Sequence, residues 1–240
     1  MKEEEFYILM KKNLENLGEI KITDEQIRKF YKYMILLLEW NEKINLTAIK
    51  EPKDIILKHF IDSLTIEKYI EKDKKIIDIG TGAGFPGIPL KIVRPDIDVV
   101  LVDSLKKRVN FLENVIEELN LDKIQAIHAR AEEVGQSRKY REQFDYTTSR
   151  AVASMNVLSE YTIPLLKLNG ISIYMKGTNL DEELEMSKKA ICTFGGEIKE
   201  IEKFSLSKTD NSRTIILVRK IKQTPIKYPR KPGIAKKEPI

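Results

Sequence analysis

The residues best suited to bind a cofactor lie in one glycine-rich turn that runs from Asp78 to Gly87. Gly80, Gly82 and Gly84 can adopt positive φ without steric cost and let the backbone approach a ligand closely. A helix predicted to follow this turn would also present unpaired N–H groups and a positive dipole end. The turn therefore predicts a binding loop for a nucleotide-like cofactor.

Two carboxylates near this turn bear on which cofactor it binds. Asp103 lies 21 residues after Gly82, where dinucleotide and S-adenosylmethionine sites both place a carboxylate against ribose hydroxyls. Asp78 immediately precedes the turn, where its charge would repel the pyrophosphate of a dinucleotide. The same charge would attract the ammonium and sulfonium groups of S-adenosylmethionine. Asp103 therefore fits both cofactors, whereas Asp78 favours S-adenosylmethionine.

The segments around the turn alternate in the way that builds a parallel sheet. Helical stretches separate five β-branched runs, at 75–79, 98–103, 123–128, 144–149 and 170–176. In such α/β folds ligands bind at the carboxyl ends of the strands, where the turn lies. Two later runs, 196–204 and 212–219, are joined by the polar loop Ser207–Ser212 and predict an antiparallel hairpin. The pattern predicts a class I S-adenosylmethionine-dependent methyltransferase fold, with a mostly parallel seven-stranded sheet.

The chain divides into three predicted regions. They are an N-terminal helical extension, an S-adenosylmethionine-binding methyltransferase domain and a basic, Pro-containing tail, at 1–70, 71–221 and 222–240. Helical periodicity in the first region extends over 3–17, 24–46 and 53–69. Thr23 and Gln26 predict a capping box at the start of the second of these helices.

The positive charge of the chain is concentrated at its C-terminal end. Residues 222–240 carry the whole net charge of +5, through Lys222, Lys227, Arg230, Lys231, Lys236 and Lys237 against Glu238. A basic segment of this kind predicts an arm that contacts phosphates, with Lys227, Arg230 and Lys231 as candidates. A solvated end that makes no specific contacts fits the composition equally well.

Composition and apolar runs exclude several classes of protein. With 42% hydrophobic and 33% charged residues, the 240-residue chain suits a soluble globular protein. The run Met34–Leu38 is far shorter than the roughly 20 residues of a membrane helix, and the Glu-rich start is unlike a secretory signal. Cys192 has no partner for an internal disulfide, and one Cys with two His does not predict a zinc site. We therefore expect a cytoplasmic monomer without a metal or a membrane partner.

Motifs along nearly the whole chain resemble those of one known family. They are Asn45-Leu46-Thr47-Ala48, His59 to Leu64, Asp78 to Leu90, Val102 to Arg108, Arg130-Ala131-Glu132, Ser149-Arg150-Ala151, Lys176-Gly177 and Thr224 to Gly233. Phe85-Pro86-Gly87 is more specific than the glycines, which occur in many nucleotide folds. On these residues the chain resembles the glucose-inhibited division protein B family, which methylates N7 of a guanine in 16S ribosomal RNA of the small subunit.

The resemblance implies which residues bind the cofactor. It implies an S-adenosylmethionine site formed by Gly80, Phe85, Asp103, Ala131, Glu132 and Arg150. Within that site, the resemblance places Asp103 at the ribose and Ala131 with Glu132 near the adenine. From the glycine-rich turn itself we add Asp78 and Gly82 to these candidates.

Basic residues at predicted strand ends are candidates for holding the substrate. Guanine N7 has a lone pair and no proton at neutral pH, so the reaction needs no general base, and we expect His59 and His128 to be structural. Arg130 and Arg150 follow the third and fourth predicted strands, and Lys176 ends the fifth. We expect Arg150 and Lys176 to position the guanine and Arg130 to contact RNA.

Other functions remain compatible with parts of the sequence. Methylation of another RNA or of a small molecule would use the same cofactor turn. A nicotinamide-dependent oxidoreductase would fit the glycine pattern, although Asp78 argues against it. A non-catalytic RNA-binding protein with a relic cofactor fold would also use the basic tail. The sequence does not determine what the N-terminal helices contact, or whether the RNA is naked or part of a particle.

Overall fold

The computed structural model describes residues 1–18, 20–150, 152–178, 180–206 and 212–240. Within these residues, seven strands form one sheet: β1 Lys75–Ile79, β2 Asp98–Asp103, β3 Ile124–His128, β4 Phe144–Arg150, β5 Leu166–Lys176, β6 Gly196–Ser205 and β7 Ser212–Lys220. Their order across the sheet is β3-β2-β1-β4-β5-β7-β6. The chain thus leaves β1 for one half of the sheet and returns beside it with β4, which places the first turn at the reversal of strand order.

The pairing confirms the predicted mostly parallel sheet with an antiparallel C-terminal hairpin. Strands β1 to β5 pair with one another in parallel, whereas β7 is antiparallel to both β5 and β6. The polar loop expected between the hairpin strands lies, apart from Ser212, outside the described residues. Parallel pairing needs crossover connections, which the helices between the strands supply.

Ten α-helical segments are found in the described residues. They are α1 Glu3–Leu14, α2 Asp24–Ile44, α3 Pro52–Ile55, α4 Asp62–Leu64, α5 Gly87–Val93, α6 Lys106–Glu118, α7 Ala131–Gln136, α8 Met155–Thr162, α9 Asp181–Phe194 and α10 Ile234–Lys237. The predicted capping box starts α2, because Thr23 Oγ1 accepts from Gln26 N at 3.2 Å and Gln26 Oε1 accepts from Thr23 N at 2.9 Å. None of the helices in the described residues is both long and apolar enough to cross a membrane.

The third predicted helix is interrupted rather than continuous. A π-helical turn, Ile56–Ile61, separates α3 from α4, and a short 3₁₀ turn follows at Glu67–Tyr69. The wider π turn changes which side chains share a face, and such turns occur often at functional sites. Sequence periodicity over so few residues does not distinguish this geometry from an α-helix.

The N-terminal helices share a hydrophobic core with the sheet. Phe6, Phe30 and Phe60 are buried in the same cluster as Ile76 of β1 and Leu101 of β2. The N-terminal extension therefore shares one core with the sheet and packs against α5 and α6, which flank it.

The C-terminal strap, residues 222–240, also packs on the sheet domain. Tyr228 and Ala235 are buried, and the Tyr228 ring contacts Phe194 edge to face at 4.9 Å. Thr224 Oγ1 donates to the carbonyl of Phe194 at 2.6 Å. The segment is thus fixed by specific contacts and differs from the solvated end that its composition allowed.

Candidate functional site

A cavity of about 390 Å³ lies at the carboxyl ends of β1, β2 and β4. Its wall includes Gly80, Asp103, Arg108, Arg130, Ala131, Glu132, Arg150, Tyr161, Gly233 and Lys236. These residues come from the glycine-rich turn, the ends of β2 and β4, α6, the start of α7, α8 and the C-terminal strap. The cavity therefore occupies the position where open α/β sheets bind their ligands.

At two positions the glycine-rich turn adopts a left-handed backbone conformation that favours glycine. Gly80 and Gly82 have φ values of 70° and 63°. A Cβ on Gly80 would lie 2.6 Å from Val152 Cγ2. The turn is held by Gly82 N, which donates to Asp103 Oδ2 at 3.0 Å, and by the Tyr33 hydroxyl, which donates to the Ala83 carbonyl. The backbone of the turn is thus positioned before any ligand binds.

Asp78 is placed beneath the turn and is not part of the cavity wall. Its side chain is fully buried, and its Oδ2 accepts from Thr81 Oγ1 at 2.6 Å and from Gly87 N at 3.0 Å. Burial raises the pKa of this carboxyl to about 7. Asp78 therefore caps the amino end of α5 and shapes the turn. Asp78 Oδ1 has no hydrogen-bond partner among the described residues, and the expectation that Asp78 faces a cationic cofactor stays a prediction.

Asp103 lies on the cavity wall at the end of β2, as expected. Its Oδ1 accepts from Leu105 N at 2.9 Å, and its Oδ2 accepts from Gly82 N and from Arg108 Nη1 at 3.4 Å. Each carboxylate oxygen has two lone pairs, so acceptor capacity remains for hydroxyl donors. The residue thus fits a ligand that carries a ribose diol.

Glu132 and Ala131 lie on the wall at the first turn of α7. The Glu132 side chain is buried, and its Oε1 accepts from Gly233 N at 2.9 Å. Arg130 precedes them, is exposed and also borders the cavity. This part of the wall therefore combines an apolar methyl group, a carboxylate and an exposed cation.

Arg150 reaches the cavity from the end of β4 and is held by the N-terminal helices. Its Nη1 donates to Asp62 Oδ2 at 2.9 Å and to the Lys58 carbonyl at 3.1 Å. Its Nη2 donates to His59 Nδ1 at 3.1 Å. A guanidinium carries five N–H groups, and these bonds use three of them as far as the described residues show. Arg150 can therefore bind a ligand while its orientation stays fixed.

His59 is neutral in this network. Burial, and next the positive charge of Arg150, lower its pKa to about 3. Because Nδ1 accepts from Arg150, the ring proton is on Nε2, which donates to Thr47 Oγ1 at 2.8 Å. Its ring stacks on Phe85 with centroids 4.4 Å apart. His59 is therefore unsuited to act as a base, in agreement with the expectation that it is structural.

Phe85 supports the site from below and does not line the cavity. Its ring is buried, stacks on His59 and lies 4.9 Å from Arg150 Cζ. The sequence identified Phe85 as a cofactor-binding candidate, whereas the structure places it between the glycine-rich turn and the N-terminal helices. Its contact with the cofactor stays a prediction.

Two further candidates are engaged in internal ion pairs. Lys176 Nζ, away from the cavity wall, donates to Glu183 Oε1 and to the Ala153 carbonyl, both at 2.7 Å. Arg230 binds the buried carboxylate of Glu160 through Nε at 2.9 Å and Nη2 at 2.6 Å. The contact of Arg230 with RNA stays a prediction, and Lys227 and Lys231 are exposed.

The sequence interpretation missed two residues that organise this site. Asp62 is 3% exposed and pairs with both Arg150 and Arg213, whose Nε donates to Asp62 Oδ1 at 2.8 Å. The motif from His59 to Leu64 was part of the family resemblance, but nothing in it indicated which arginines Asp62 contacts. A buried aspartate needs cations or hydrogen-bond donors as partners. The motif could therefore indicate that Asp62 has such partners, but not which residues they are.

A solved structure of similar fold comes from Thermotoga maritima. This S-adenosylmethionine-dependent O-methyltransferase superposes with a TM-score of 0.55 at 14% identity, over 79% of this chain and 72% of that one. At this identity the likeness shows the class I methyltransferase fold alone. The predicted fold class is confirmed.

Comparison of sequences identifies the family. The protein is 50% identical over 234 residues to ribosomal RNA small subunit methyltransferase G of Alkaliphilus oremlandii, covering 97% of this chain and 98% of the relative. It is 54% identical over 224 residues to the enzyme of the same name from Desulforamulus reducens, covering 92% and 93%. The GidB family model, described as rRNA small subunit methyltransferase G, matches residues 26–215. The chain belongs to the ribosomal RNA small subunit methyltransferase G family.

Proposed function

We propose that this protein transfers a methyl group from S-adenosylmethionine to N7 of a guanine in 16S ribosomal RNA. The observation that carries the proposal is the family match over nearly the whole chain. The cavity at the strand ends supports it, because the residues that the resemblance implies for the cofactor, apart from Phe85, border this cavity. Membership of a methyltransferase family argues against a nicotinamide-dependent oxidoreductase. We also propose a cytoplasmic location, since ribosomal RNA is the proposed substrate.

The chemistry of the cavity wall fits S-adenosylmethionine. Asp103 would accept from the ribose hydroxyls, and Ala131 with Glu132 would contact the adenine. Gly80 and Gly82 would let the backbone approach the amino acid portion of the cofactor. The cofactor supplies a methyl group bonded to a positively charged sulfur. The chain needs to bind it, orient it and exclude water around it.

No side chain of the described cavity wall is needed as a general base. Guanine N7 attacks with a lone pair and carries no proton at neutral pH. His59, which bonds to Arg150 of the cavity wall, is neutral, and hydrogen bonds engage both of its ring nitrogens. The proposed catalysis is therefore positioning of the base in line with the methyl group.

We propose Arg150 as the residue that positions the guanine. It borders the cavity, and the N–H groups left free by its internal bonds can donate to O6 beside N7. We no longer propose Lys176 for this role, because its ammonium holds Glu183 and the Ala153 carbonyl. Arg130, Lys227 and Lys231 remain candidates for contacts to RNA phosphates, because they are exposed.

Transfer of labelled methyl to small-subunit ribosomal RNA tests the proposal. The enzyme is incubated with labelled S-adenosylmethionine and either naked 16S RNA or small-subunit particles, and aniline cleavage locates N7-methylguanine. We expect one labelled guanine on at least one substrate form. Label on neither form, or label away from N7, contradicts the proposal.

Variants of this enzyme test the assignment of Arg150. We expect Arg150→Ala to reduce methyl transfer by about 100-fold or more, which corresponds to the loss of a charge-assisted contact of roughly 3 kcal/mol. Arg138→Ala is the matched control, since Arg138 is exposed and does not line the cavity. Equal rates for Arg150→Ala and Arg138→Ala would show that Arg150 does not position the substrate.

A further inference from the structure

We propose that the C-terminal strap is a structural wall of the cofactor site, so that cofactor affinity depends on it. The proposal rests on the proposed function for the identity of the cofactor. The basic composition of the strap predicted contacts to RNA phosphates. In the folded chain, the strap instead packs against α7 and borders the cavity.

The strap reaches the cavity directly. Gly233 and Lys236 border the cavity on the same wall as Glu132. Gly233 N donates to Glu132 Oε1 at 2.9 Å, at a backbone φ of 86° that favours glycine. Because a buried carboxylate without donors is costly, this N–H fixes the orientation of Glu132. One side chain of the proposed adenine site is thus oriented by the strap.

The strap also holds the other end of α7. Gln136, the last residue of α7, donates from Nε2 to the Pro229 carbonyl at 2.6 Å. Between the two ends, Gly135 packs so closely that an added Cβ would lie 2.6 Å from Pro229 Cγ. Strap contacts therefore extend along α7, which carries Ala131 and Glu132.

Two arginines anchor the strap to the sheet domain. Arg230 forms a two-pronged pair with Glu160 of α8, which is 1% exposed, and its backbone N donates to the same carboxylate at 2.7 Å. Arg141 donates to the Thr224 carbonyl at 2.8 Å and to the Tyr228 carbonyl at 2.7 Å. Two-pronged charge-assisted bonds are among the stronger polar contacts in proteins. Without the Arg230 anchor, we expect the segment that carries Gly233 to leave Glu132.

Neighbouring basic residues of the strap provide a matched test by calorimetry. Arg230→Ala removes the anchor, whereas Lys231→Ala removes the same charge from an exposed position one residue away. We expect Arg230→Ala to weaken S-adenosylmethionine binding by about tenfold or more, the effect of one or two lost hydrogen bonds, and Lys231→Ala to leave it unchanged. A role of the strap in RNA binding alone predicts unchanged cofactor affinity for both variants. That result overturns the proposal.

Protease protection tests the same coupling in the unaltered chain, where folding of a variant is not in question. Saturating S-adenosylmethionine should slow trypsin cleavage after Lys227 and Lys237 in the strap. It should not slow cleavage after Lys72, which is exposed in the turn before β1, at the amino ends of the strands and away from the cavity. Equal cleavage of the strap with and without the cofactor overturns the proposal.

The binding measurements are independent of methyl transfer. Wild-type binding of S-adenosylmethionine without methylation of small-subunit RNA would contradict the proposed function and leave the strap result standing. Methylation of the RNA together with full cofactor affinity in Arg230→Ala would overturn the strap proposal alone.

Discussion

The N-terminal helices and the C-terminal strap hold opposite parts of one cavity by different means. The N-terminal side fixes Arg150 with buried side chains, namely the neutral ring of His59 and the carboxylate of Asp62. The strap fixes Glu132 with a backbone N–H of Gly233 and a close approach of Pro229 to α7. The position of Arg150, in the N-terminal wall, should therefore be sensitive to changes in charge and protonation. The position of Glu132, in the strap wall, should be sensitive to backbone conformation and to added side-chain volume.

The largest effect should come from removing the shared carboxylate of the N-terminal wall. Asp62→Ala leaves Arg150 and Arg213 without their common partner, and loss of one partner of a buried ion pair costs about 3–5 kcal/mol. Asp54→Ala is the control on the same helical segment, because its pair with Lys58 is at the surface. Urea unfolding measures both variants. Similar losses for the two would show that the buried network adds no stability.

Protonation of His59 should make the N-terminal wall sensitive to acid. Its pKa is about 3 in the folded chain and near 6.5 when unfolded, so the unfolded state binds the extra proton between these values. The contribution of His59 to stability is therefore complete above about pH 6.5 and falls by up to about 1.4 kcal/mol per pH unit as the pH drops towards 3.

The difference between wild type and His59→Gln isolates this effect in urea unfolding across the pH range. Asp78, with its pKa raised to about 7, contributes the opposite slope between its unfolded value of 3.8 and 7. Asp78 is present in both proteins, so its contribution cancels in the difference. Parallel pH profiles for the two proteins would contradict the neutral, buried state of His59.

The strap wall should tolerate little added side-chain volume where the strap packs against α7. Gly135→Ala places a methyl group against Pro229, and overpacking costs about 1–3 kcal/mol, partly offset by the better helix propensity of alanine. Gly177→Ala is the control, because nothing lies within 4 Å of its added Cβ. Urea unfolding and the rate of trypsin cleavage after Lys227 report the effect. Faster cleavage in Gly135→Ala alone would confirm that α7 and the strap need this close approach.

The smallest effect on stability is expected at an exposed cation of the strap. Lys227→Ala should change the free energy of unfolding by less than about 0.5 kcal/mol, because its side chain is at the surface. If Lys227 contacts a phosphate, RNA binding should weaken similarly for different sequences and depend less steeply on salt. A large loss of cofactor affinity would instead assign Lys227 to the strap wall.

Much of the fold could be predicted because its signals are local. Alternating β-branched and amphipathic runs located all seven strands, including the antiparallel pair near the C-terminus. The π turn at Ile56–Ile61 was not predicted, since it differs from an α-helix in hydrogen bonding and hardly in sequence pattern. This unpredicted turn lies in the segment that carries His59.

The sequence by itself determined the family, the sheet and most of the cavity wall. Gly80, Asp103 and Glu132 line the cavity because they lie at or shortly after the carboxyl ends of β1, β2 and β3, and parallel strands end at one edge of the sheet. The tertiary structure alone decided which candidates are engaged by other groups. Lys176 and Arg230 carry suitable charges but pair with Glu183 and Glu160, and Asp78 is buried beneath the turn. Pairing of this kind depends on distances in the folded chain, which residue types and spacing do not encode.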